Sequence, residues 1–144
     1  MEPERTALRG DHKPRSGCPI ATTLDLLGDR WTLVIVRDMA IGKKRYGDFL
    51  KSPERIPTNI LADRLQRLEE FCLVESSRYQ EKPVRLEYRL TRRGAELLPV
   101  LQEICRWANR HLPDTWKTPK SFLALAPGEI VAQHAPSDPK PASR

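Results

Sequence analysis

The sequence predicts a mainly α-helical fold with one small β-hairpin, and three observations carry the prediction. Apolar residues recur at helical spacing on both sides of a turn at Ser52-Pro53-Glu54-Arg55. Two short strand-like runs follow, joined by the charged loop Gln80-Glu81-Lys82-Pro83. The second run leads directly into Thr91-Arg92-Arg93-Gly94, which has the composition of a helix start. Helix, turn, helix, hairpin, helix is the plan of a winged helix-turn-helix.

Taken in order, residues 1–17 are polar and without apolar period, which predicts a flexible arm. Order is expected from Cys18-Pro19, because a proline in the first helical turn sacrifices no backbone bond. Ile20, Leu24 and Leu27 then repeat at helical spacing. Asp29 is placed to cap a second helix that carries Trp31, Val34, Ile35 and Met39. A short third helix is expected from Arg45 to Lys51, with Tyr46, Phe49 and Leu50 inward.

After the turn, Leu61, Leu65 and Leu68 form the buried stripe of a fourth helix, with Thr58, Asn59, Ala62, Asp63, Gln66 and Arg67 on its other side. That helix should end near Phe71, putting Cys72 where the backbone often turns left-handed. Strands are expected at 73–79 and 85–90. Thr91 should cap the last helix, in which Pro99 forces a kink or a restart. Leu97, Leu98, Leu101, Ile104, Cys105, Trp107, Ala108 and Leu112 give this helix more apolar surface than so small a domain can cover. A domain at 18–112 is therefore expected, followed by a proline-rich, largely irregular tail at 113–144. Within the tail, only Phe122-Leu123-Ala124-Leu125 and Ile130-Val131 have the character to pack back.

Charge placement narrows the function. The 144 residues carry a net charge of +6. Residues 43–93 hold 13 Lys/Arg against 8 Asp/Glu, an excess of +5, and the remainder holds 12 against 11. The positive field thus belongs to the helix-turn-helix and hairpin, as expected of a unit that binds nucleic-acid phosphates. No apolar run is long enough for a membrane span, and the N-terminus lacks a signal-peptide core. Three scattered cysteines fit a reducing compartment, so a cytoplasmic protein is expected.

The residues also resemble a known family. Cys18-Pro19, the run from Leu27 to Leu33, Arg45-Tyr46-Gly47-Asp48-Phe49 and Ile56-Pro57-Thr58-Asn59-Ile60-Leu61 are similar to HxlR-type transcription regulators. So are Arg64-Leu65, Leu68-Glu69, the run from Tyr88 to Gly94, and Trp107. The resemblance covers about 18–112 and departs from the pattern at Cys72, where glycine is common. It implies a homodimer joined by the terminal helices, with Ile20, Leu24, Leu101, Ile104, Trp107 and Ala108 as interface candidates. It also implies repression as the commoner outcome.

For this architecture the fourth helix is expected in the major groove of double-stranded DNA. Thr58, Asn59, Asp63 and Arg67 are the base-reading candidates, since Asn pairs with adenine, Arg with guanine, and Asp accepts from cytosine. Lys43, Lys44, Arg45, Arg64, Lys82 and Arg85 are the phosphate-contact candidates, Arg64 with a structural ion pair as its alternative. A homodimer would read a pseudo-palindrome with half-sites about one helical turn apart.

Cys18 is a candidate redox or electrophile sensor because it precedes a helix start, and some members of the resembled family sense oxidants at this position. The plain alternative is a small residue beside a cap. An oxidant or small-molecule effector follows only from that resemblance. Cys18 and His12 lack zinc-ligand spacing, so neither metal nor cofactor is expected. His12, His111 and His134 lie in no catalytic pattern, which argues against an enzyme. The rival function is a winged helix used only for protein–protein contact, whose exposed helix face would tend to be apolar or acidic.

Overall fold

The computed structural model describes residues 14–133. Helix α1 spans Pro19–Leu27, α2 Thr32–Ala40, α3 Tyr46–Leu50 and α4 Thr58–Glu70. Strands β1 (Val74–Glu81) and β2 (Val84–Leu90) form an antiparallel hairpin. Helices α5 (Arg92–Ala95), α6 (Leu98–His111), α7 (Lys120–Ala124) and α8 (Pro127–Gln133) complete the described residues. The helix-turn-helix is α3 and α4, and the hairpin is the wing. No helix among the described residues is long and apolar enough to cross a membrane.

Several starts and stops have identifiable causes. The Asp29 carboxylate accepts hydrogen bonds from the Trp31 and Thr32 amides at 3.0 and 3.1 Å and from the Thr32 hydroxyl, so it caps α2 as expected. At the end of α4 the Cys72 amide donates to the Glu69 carbonyl and the Leu73 amide to the Leu68 carbonyl. These paired bonds make a Schellman motif, and Cys72 takes the left-handed position with φ 63°. Thr91 joins three elements: its amide donates to the Leu73 carbonyl, its hydroxyl donates to the Cys72 carbonyl, and its Oγ1 accepts from the Gly94 amide at the start of α5. A Cβ on Gly94 would lie 2.0 Å from the Leu73 carbonyl oxygen, so this crossing requires glycine.

Leu61, Leu65 and Leu68 of α4 pack with Ile35, Val36 and Met39 of α2, Phe49 of α3 and Leu98 of α6 in one core. Leu50 departs from expectation: it is exposed, and Phe49 alone of α3 is buried. A five-residue helix can turn only a narrow face inward. Pro99 lies in the first turn of α6, so the helical run restarts there and no kinked helix forms.

The C-terminal segment also departs from the expected irregular tail. Residues 120–133 form α7 and α8, and Ile130 is fully buried in the core. The Gln102 side-chain amide, buried on α6, donates to the carbonyls of Phe122, Leu123 and Leu125 at 3.0, 3.3 and 2.8 Å. Asn109 receives bonds from the Thr118 amide and hydroxyl. The segment is thus a strap fastened along α6. Its helices are too short to show a clear apolar period. At the other end, Arg15 pairs with Asp25 at 2.7 Å, so the predicted arm is anchored at its last residues. Residues 1–13 of the arm, including His12, lie outside the described residues, as do His134 and the end of the tail.

Candidate nucleic-acid interface

The exposed side of α4 lies opposite its leucine stripe. Thr58, Asn59 and Asp63 are exposed there, and Arg67 is half-buried beside them. The helix begins after Pro57, whose ring fixes φ at −63°, and no side chain caps its first amides. The Tyr46 hydroxyl, on α3, donates a 2.7 Å bond to the Thr58 carbonyl. Helix α3 therefore sets where the first turn of α4 stands. Sequence reasoning assigned Tyr46 to packing and missed this role, which no local pattern signals.

Asp63 is ion-paired to Arg64, and Arg64 also donates to Asp29 at 2.8 Å across from the α1–α2 junction. Burial by itself raises the Asp29 carboxyl. Bonds from Thr32, Arg64 and the Trp31 amide outweigh that and hold it at about 2. Arg64 is raised in turn, first through its hydrogen bond to Asp29. Of its two expected roles, Arg64 thus occupies the structural ion pair, and it ties α4 to the cap of α2.

The basic run before α3 is less free than its sequence suggests. Lys43 donates through Nζ to the Ser52 hydroxyl at 2.7 Å, and Ser52 donates to the buried carboxylate of Asp38. Arg37 completes that cluster by bonding Asp38 and, at 2.7 and 2.8 Å, both oxygens of Glu54. This bidentate bond holds Glu54 below the ordinary carboxylate range and raises Arg37. Arg45 donates to Glu87 at 2.9 Å, and its guanidinium lies 3.9 Å from the Tyr79 ring centroid. Lys44 reaches the same Glu87 at 3.7 Å. Its carbonyl also accepts from the Tyr88 amide, so the segment before α3 runs along β2.

The wing tip is more open. Lys82 and Arg85 are exposed on either side of Pro83, and the Lys82–Pro83 peptide is cis. Arg55, exposed in the turn before α4 with φ 57°, adds a cation that sequence reasoning passed over. Its place between Pro53 and Pro57 is the signal that marks it as a presented side chain.

The interface candidates divide. Ile20 and Leu24 lie exposed one turn apart on α1, at 72% and 54%. Val100, Ile104 and Trp107 form an exposed stripe on α6, whereas Ala108 is half-buried. Leu101 is corrected: it is 7% exposed, packed in the chain's own core, and unavailable to a partner. It sits on the side of α6 that faces inward, where Leu98 precedes it by three residues. Cys18 is exposed at the N-cap of α1 and makes no side-chain capping bond.

Comparisons with known proteins agree with this architecture. The HxlR-like helix-turn-helix family matches residues 26–115. The HTH-type regulator YdeP of Bacillus subtilis is 33% identical over 95 residues, covering 66% of this chain and 74% of that protein. MT3179 of Mycobacterium tuberculosis is 35% identical over 97 residues, 67% of this chain, and the match spans 61% of its length. Among solved structures, reduced YodB of B. subtilis superposes with a TM-score of 0.57 at 32% identity, covering 70% of this chain and all of YodB. The redox regulator HypR, in its oxidised form, gives 0.59 at 31% identity, with 65% and 97% covered. With its helix-turn-helix, wing and matched residues in agreement, the chain belongs to the HxlR-like helix-turn-helix family of transcriptional regulators.

Proposed function

We propose that the protein is a sequence-specific double-stranded DNA-binding regulator that represses from a pseudo-palindromic operator as a homodimer. The observation that carries this reading is the polar outer side of α4, with Thr58 and Asn59 in its first turn and Asp63 and Arg67 following on the same side. Such a side chain set matches base edges in the major groove. Lys82, Arg85, Lys44 and Arg55 are exposed and available to meet phosphates, while Lys43, Arg45 and Arg64 serve mainly to hold the reading unit together. The exposed stripes on α1 and α6 support the dimer, since an isolated monomer would leave them wet. Repression is taken from the family by analogy.

Selection of bound sequences from a random duplex library tests the reading. Enrichment of a pseudo-palindrome with half-sites about one turn apart is expected. Absence of any enriched sequence would favour the protein–protein interaction module.

A response to oxidants or electrophiles through Cys18 is the second part of the proposal. Its support is an exposed thiol at the start of α1 and the likeness to the redox regulator HypR. Treating the protein with diamide should weaken operator binding, and Cys18→Ser should abolish that response. An unchanged response in Cys18→Ser would remove Cys18 from the mechanism.

A further inference from the structure

A cleft of about 350 Å³ opens between α3 and the outer half of the wing. Three aromatic rings line it, those of Tyr46, Tyr79 and Tyr88, together with Leu86 and the cationic residues Arg45 and Arg85. The hairpin register slips between Arg78 and Gln80, which makes Tyr79 the extra residue of a bulge. Bulges re-aim side chains next to functional sites, and this one sets the Tyr79 ring against the Arg45 guanidinium. Glu87 already engages Arg45, whereas Arg85 is exposed at the cleft. The cleft is open to solvent, and its volume lies at the lower end of the range for small-molecule sites. Tyrosine rings favour a planar aromatic ligand, and the exposed Arg85 guanidinium suits a carboxylate. The two arginines disfavour a cation, and an aliphatic anion would leave the aromatic faces unused.

We propose that this cleft binds a planar aromatic carboxylate, its ring among the three tyrosines and its carboxylate on Arg85, and that occupancy opposes duplex binding. The second half rests on the DNA-binding reading. Two links couple the sites: Tyr46, which lines the cleft, holds the Thr58 carbonyl at the start of α4, and Arg85 is a wing cation that the ligand would withdraw from phosphate. Coupling of this kind is reciprocal, so duplex binding would expel the ligand in equal measure.

Calorimetric titration of the full chain with 2-naphthoate tests the site without DNA. Saturable binding at one molecule per chain is expected, weakened about tenfold or more in Arg85→Ala and in Tyr79→Ala, and about tenfold for the neutral 2-naphthylmethanol. Circular dichroism on both variants confirms that they fold. No saturable heat at millimolar naphthoate, or affinity indifferent to both substitutions, overturns the proposal. If naphthoate does not bind but Arg85→Ala loses duplex affinity, the cleft is a backbone contact and the proposal falls. With a selected duplex, saturating naphthoate should lower affinity about tenfold; an unchanged affinity overturns the antagonism. Naphthoate binding by a protein that selects no duplex upholds the site and removes the DNA reading instead.

Discussion

The Tyr46 hydroxyl donates to the carbonyl oxygen of Thr58 at 2.7 Å, which makes α3 the gauge for the first turn of α4. A neutral hydrogen bond contributes about 1 kcal/mol net. Tyr46→Phe should therefore leave the fold intact and reduce operator affinity several-fold, with the larger loss on the selected sequence. Fluorescence anisotropy on selected and random duplexes measures the difference.

Asp29 links acidity to stability. Its folded carboxyl sits at about 2, below the ordinary aspartate value. A depressed carboxyl contributes stability that is fully present above the unfolded value of about 3.9 and is lost as pH falls towards 2. Glu54, also depressed, adds to the loss in the same direction. Urea midpoints measured between pH 7 and pH 2 should decline through this window. Asp29→Asn should be less stable at pH 7 and show a shallower decline.

Cys72 and Gly94 give opposite expectations on either side of the same junction. Cys72 holds a left-handed backbone at φ 63° without being glycine, at a cost of roughly 1–2 kcal/mol. Cys72→Gly should raise the melting temperature despite glycine's greater unfolded-state entropy. Gly94→Ala should lower it by the equivalent of about 1–3 kcal/mol, because its Cβ meets the Leu73 carbonyl. Thermal melts of the two variants decide both.

The two sides of α6 should separate stability from assembly. Leu101→Ala removes core volume and should cost about 2–5 kcal/mol in denaturant unfolding. Ile104→Glu and Trp107→Ala alter exposed positions, 47% and 55% open in the single chain. They should leave the secondary structure in place and shift the sedimentation equilibrium towards monomer.

Much of this was legible because it is local. The leucine period of α4, the Asp29 cap and the left-handed turn at Cys72 each follow from residues within a few positions of one another. The engagement of the basic run was not legible, since Lys43 finds Ser52 nine residues away and Arg45 finds Glu87 forty-two residues away. Leu101 and Ile104 belong to one apolar helix, and only packing distinguishes the inward residue from the outward one. Among prolines and short runs, Phe122 and Ile130 marked where the strap packs, but not that it forms helices. The exposed side of α4 was recognisable as a polar face, while its anchoring through Tyr46 and Arg64 depended on tertiary contacts.

The Gln102 latch implies an order of events on the ribosome. The helix-turn-helix, the wing and α6 precede the strap in the chain, so they leave the ribosome first. Until residues 120–133 emerge, the Gln102 amide lacks its three carbonyl partners and the socket for Ile130 stands open. The nascent chain thus carries the elements of its DNA-binding half before the back of α6 is sealed, and fastening the strap is the step that finishes the core.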